Sequence, residues 1–88
     1  MENPYTQIAR QFLRDNPQLF PSSGPAIKAE LANDLATEIA SRVRELTPAL
    51  AEPEMTPQMT APQREGVTNM ARLRAEEIAL HETLYSML

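Results

Sequence analysis

Cysteine is absent from this chain, which excludes disulfide staples, thiolate zinc ligands and thiol chemistry. No apolar run approaches the length needed to cross a bilayer. The opening residues, Met1-Glu2-Asn3-Pro4, lack a basic segment followed by an apolar core, so no secretory leader is read there. Glycine is scarce, with two in 88 residues, and neither a glycine-rich phosphate loop nor a nucleophile-elbow motif occurs. These absences predict a soluble cytoplasmic protein that is not an enzyme and takes no small-molecule substrate.

There is one histidine, His81, with Glu77 four residues before it and Glu82 directly after. That spacing differs from the Glu-x-x-His of di-iron bundles, and one histidine with scattered acids does not complete a metal site in a single chain. No metal or other cofactor is expected. Basic residues are also few. Eight face twelve acids, for a net charge of −4, and they are scattered along the chain. An acidic chain without a basic cluster repels a phosphate backbone, so no direct nucleic-acid binding is expected.

What is present is helical periodicity cut by proline. The longest pattern runs from Pro25 to Leu46. Ile27, Leu31, Leu35, Ile39 and Val43 recur every four residues, and Ala32, Ala36 and Ala40 form a small row beside them. A four-residue repeat advances about 40° per step on an α-helix, so the large residues wind across the surface. Such rows form the ridges of crossed helix packing, and the alanines permit close approach. Glu30, Asp34 and Glu38 make an acidic row on the other side, with Arg42 one turn beyond, spaced to pair with Glu38.

An earlier helix is predicted from Pro4 to Asp15, with Asn3 as N-cap and Tyr5, Ile8, Ala9, Phe12 and Leu13 on one face. Asn16-Pro17 ends it. Leu19 and Phe20, in the connector that follows, read as a plug for the local core. Thr47-Pro48 is expected to end the central helix. A proline- and methionine-bearing connector follows, with the tandem Pro53-Glu54-Met55-Thr56 and Pro57-Gln58-Met59-Thr60, read as extended chain. Thr60 and Gln63 have capping-box spacing, though Gly66 weakens the start and favours a firm helix from nearer Thr68. The last helix carries two apolar stripes: Met70, Leu73, Leu80, Leu84 and Met87, then Val67, Ala71, Ala75, Ile78 and Tyr85. A helix apolar on two sides needs two neighbours. Arg64, Arg72 and Arg74 point in different directions and read as solvated.

The expected fold is all-α: a helical hairpin (residues 1–46), a connector (47–62) and a C-terminal amphipathic helix (63–88) in one small domain. Small size and the two-striped helix predict a non-enzymatic protein-interaction module, a small subunit, adaptor or assembly factor that meets a protein partner or its own copies. The contact residues expected are Leu80, Leu84, Tyr85, Met87 and Leu88, with Met55 and Met59. The competing expectation is a small acidic inhibitor of the antitoxin or phage anti-defence type. Its Glu30, Asp34 and Glu38 would mimic phosphates and block a basic nucleic-acid-binding surface.

Overall fold

The structure, a computed structural model, describes residues 3–88. Met1 and Glu2, on which half of the leader reading rests, lie outside the described residues. Three α-helices follow one another, α1 (Thr6–Asp15), α2 (Pro25–Ala51) and α3 (Ala61–Thr83), with short 3-10 turns at Pro17–Leu19, Glu52–Glu54 and Tyr85–Met87. The fold is all-α.

Each helix end follows from local chemistry. Asn3 stands two residues ahead of the N-cap position, which Tyr5 occupies. Its Oδ1 accepts from the Tyr5 N–H at 2.8 Å, and its carbonyl accepts from the Thr6 N–H at 3.0 Å. At the other end, Asn16 Nδ2 donates to the Phe12 carbonyl at 2.9 Å, satisfying one of the orphan acceptors. Pro25 opens α2 behind Gly24. The capping box of α3 closes in both directions: Thr60 Oγ1 accepts from the Gln63 N–H, and Gln63 Oε1 accepts from the Thr60 N–H at 2.9 Å. It starts α3 at Ala61 despite Gly66, earlier than the composition suggests.

Pro48 does not end α2. The helix passes through it to Ala51, beyond the expected limit at Leu46. The missing proline N–H leaves only the Arg44 carbonyl without its helical donor, and Arg44 is exposed. Beyond it, Ala51 is buried and Leu50 packs against the core, so burial stabilises the last turn. The connector is therefore shorter than composition predicts. Past the Glu52–Glu54 turn it runs extended through Met55, at φ −82° and ψ 139°. It lies along α3: Arg64 Nη2 donates to the Thr56 carbonyl at 3.1 Å, and Arg74 stands 3.9 Å from Glu54. Arg64 is thus a strap and not simply a solvated cation.

Packing centres on α2, which carries α1 and α3 together. Leu35, Ile39, Val43, Ala32 and Ala36 meet Tyr5, Ala9, Phe12 and Leu13 of the first helical segment and Ala75, Ala79 and Leu84 of the last. Leu19 and Phe20 pack on the same core, as a plug. The winding of the four-residue row has a consequence. Ile39 is fully buried, whereas Ile27, three steps and about 120° away, is exposed. The alanine ridge admits close approach, and Asn3 Nδ2 reaches the Ala36 carbonyl at 3.0 Å.

The result is long and thin. The principal extents are 56 × 28 × 17 Å and the radius of gyration is 16.0 Å, against about 12 Å for a compact chain of this length. The accessible surface is 6059 Å², against about 5200 Å² for a compact monomer of this mass.

Candidate interaction surface on the third helix

The two stripes of α3 are about 160° apart, taking Ala75 and Leu73 as their centres. Helix α2 covers the alanines of the small one, Ala71 and Ala75, with Ala79 beside them, while Ile78 is 36% and Tyr85 44% exposed. The large one is exposed over its first part, with Met70 60% and Leu73 57% exposed, whereas Leu80 and Met87 pack against the core and Leu84 is buried in it. Alanines make up half of the fourteen buried apolar residues, so the largest apolar surface of α3 lies outside its own core. Helix α1 does not supply the second neighbour. It reaches the last segment near its ends, where Phe12 and Tyr85 meet edge to face at 5.9 Å and Tyr5 sits beside Glu76. Burial first, and then the Glu76 carboxylate, push the Tyr5 hydroxyl up to about 12.

On the outward face lies a shallow groove of about 530 Å³ lined by Leu73, Glu76, Glu77, Leu80, His81 and Tyr85. Its floor is apolar and its charge is acidic. Glu77 stands within the stripe, between Leu73 and Leu80 in sequence, and makes no hydrogen bond or ion pair among the described residues. The basic residue in the same groove is His81, one turn after Glu77, and the two form no ion pair.

The expected contact residues separate. Tyr85 is 44% exposed, Leu88 is 72% exposed, and Leu80 is a half-buried wall of the groove. Met87 is half-buried against the core, and Met55 and Met59 are half-buried in the connector. Leu84 departs from expectation. It is fully buried in the core shared with the other two helices, at the point where α3 ends and the last turn begins. Met70 and Leu73 carry more exposure than Leu80 or Met87. Their 3/4 spacing with Leu80 marks the stripe in the sequence, but spacing alone does not say which stripe α2 covers.

Elsewhere, Glu30, Asp34 and Glu38 are all exposed on α2, and none has a partner among the described residues. Arg42 does not pair with Glu38. It bonds across to Glu82 on α3 at 2.9 Å and to Glu45 at 3.3 Å. The Arg42 hydrogen bond holds the Glu82 carboxyl below its ordinary range. The bases are less scattered in space than in sequence. Arg10, Arg14 and Lys28 border one groove of about 490 Å³ with Leu13, Pro17 and Pro25. Arg14 also donates to Gln11 Oε1 at 2.9 Å.

Among the described residues, no group of three or more His, Cys, Asp or Glu side chains is placed to hold a metal ion. No helix there is long and apolar enough to cross a membrane. No family model matches the chain, and no curated protein and no solved structure matches it.

Proposed function

We propose that this chain is a non-enzymatic protein-interaction module, a small cytoplasmic subunit, adaptor or assembly factor that docks through the outward face of α3. The observation that carries this reading is the division of α3, with alanines inward and Met70 and Leu73 outward. A buried methyl contributes about 0.8 kcal/mol, whereas full burial of a leucine or methionine contributes about 1.5–3 kcal/mol. Covering the exposed parts of Met70 and Leu73 would thus contribute roughly 2–3 kcal/mol that the isolated chain forgoes. The elongated shape supports the same reading, because a thin body presents long helix faces.

The test is a pair of pull-downs from the native host, with intact-mass spectrometry of the assembly. One bait is the wild-type chain and the other is Leu73→Glu. Loss of the same partner or self-association in the variant, with an unchanged melting curve, supports the reading. An identical set of partners with both baits refutes it.

A second reading has its own observation. Glu30, Asp34 and Glu38 form an exposed, unpaired row suited to a basic surface that ordinarily binds phosphates. Such an inhibitor would lose its target in Glu30→Lys/Asp34→Lys, keep it in Leu73→Glu, and weaken steeply with added salt.

A further inference from the structure

The occupant of the α3 face follows from its charge. Resting on the docking reading above, we propose that the partner presents a basic amphipathic helix, with leucine-like residues on Met70, Leu73 and Leu80 and a lysine or arginine meeting Glu77.

Glu77 decides between occupants. It lies on the apolar stripe, so any body that covers Met70 and Leu80 takes it out of water. A carboxylate buried without a partner is strongly unfavourable, and it is relieved only by an opposite charge or by taking up a proton. Among the described residues, the bases nearest to it are His81, which lines the same groove without an ion pair to Glu77, and two arginines that are engaged or turned away. Arg74 leans toward Glu54 at 3.9 Å. Arg72 is about 140° round the helix from Glu77. A purely apolar helix therefore leaves two carboxylates, Glu76 and Glu77, with a single imidazole beside them. A second copy is disfavoured, because each copy brings its own Glu76 and Glu77 to the face and a net charge of −4. Half-buried Glu76, in the same groove, adds a second negative group beside the first. A helix with lysine or arginine at the centre of its apolar face satisfies both the leucines and the carboxylates. The face from Met70 to Tyr85 spans about 22 Å, so the partner helix needs about four turns.

The experiment uses fluorescence anisotropy with two labelled peptides of about 16 residues. One is a leucine–lysine helix with leucines at i, i+3, i+4 and i+7; the other carries glutamate in place of every lysine. Each is titrated with the full wild-type chain and with Leu73→Ser, Glu77→Lys and Asp34→Lys. All three substitutions are at exposed positions, and circular dichroism checks that they melt like the wild type. The lysine peptide should bind the wild type and Asp34→Lys alike, and bind Leu73→Ser and Glu77→Lys at least about tenfold more weakly. The glutamate peptide should bind only Glu77→Lys. Equal weakening by Asp34→Lys and Glu77→Lys would mean diffuse charge attraction and would overturn the proposal. No binding of the lysine peptide at millimolar concentration would do the same. Sedimentation equilibrium covers the second copy: a wild-type dimer that Leu73→Ser dissociates overturns the basic partner but leaves the docking face standing. Lysine-peptide binding that Leu73→Ser leaves untouched overturns both.

Discussion

Ala75→Leu and Leu73→Ala together measure which side of α3 faces α2. Ala75 has no exposed surface and sits where α3 meets α2. Three added carbon atoms there must displace α2 or force strained rotamers, which costs about 1–3 kcal/mol. Leu73 is 57% exposed, so truncation to alanine removes less than half of a leucine's burial. The loss is at most about 1 kcal/mol, and alanine's higher helix propensity offsets part of it. A chain of this length has about 4–13 kcal/mol in total, so the larger effect shifts a urea midpoint well beyond error. Urea unfolding followed by circular dichroism at two protein concentrations gives both values and separates folding from self-association. A helix turned by about 160° would invert the result. Leu73→Ala would then cost about 2–5 kcal/mol and Ala75→Leu would be nearly harmless. That outcome would refute the packing of α3 and every inference drawn from its outward face.

Pro48→Ala should raise stability by about 1–2 kcal/mol in the same assay, because it restores the donor to the Arg44 carbonyl and outweighs the entropy gained by the unfolded chain; a lower midpoint would show that the proline suits α2. Thr60→Ala should cost about 1 kcal/mol by opening the capping box, and amide exchange should quicken in the first turn of α3 but not in α2. Alkaline titration should expose Tyr5. With its folded pKa raised to about 12 from an ordinary value near 10, its contribution is full below about pH 10 and is lost as pH rises toward 12, a fall that Tyr5→Phe should abolish. Glu82 titrates in the opposite sense. Its folded pKa is depressed, so the stability it confers is present above the ordinary carboxylate range and disappears as pH falls through the lowered value. The difference between wild type and Glu82→Gln should close on acidification, and a difference that persists at low pH would count against the Arg42 pairing.

Much of the secondary structure is legible in residue order, because it rests on local chemistry. Asn16-Pro17, Pro25 and the Thr60–Gln63 box mark three helix ends with side chains a few residues away. Residue order misplaces the end of α2, since burial of Ala51 and packing of Leu50 outweigh proline's local penalty. Spacing also suggests Glu38 for Arg42, a neighbour one turn away, where a carboxylate 40 residues distant bonds it instead. The candidate surface was half legible. Spacing marks the stripe through Met70, Leu73 and Leu80 but does not show that Leu84, on the same stripe, belongs to the core.

Sequence alone determined that the chain is helical, where most of its helices break, and that α3 is apolar on two sides. Each of these depends on 3.6-residue periodicity and on groups within one turn. Only the tertiary structure decided which stripe is covered, because that depends on the shape of the neighbour. The alanines of α3 are buried with the core residues of α2, and so Met70 and Leu73 face outward with Glu77 beside them. Tertiary structure likewise gathered Arg10, Arg14 and Lys28 from two helices into one groove, a cluster that residue order does not display.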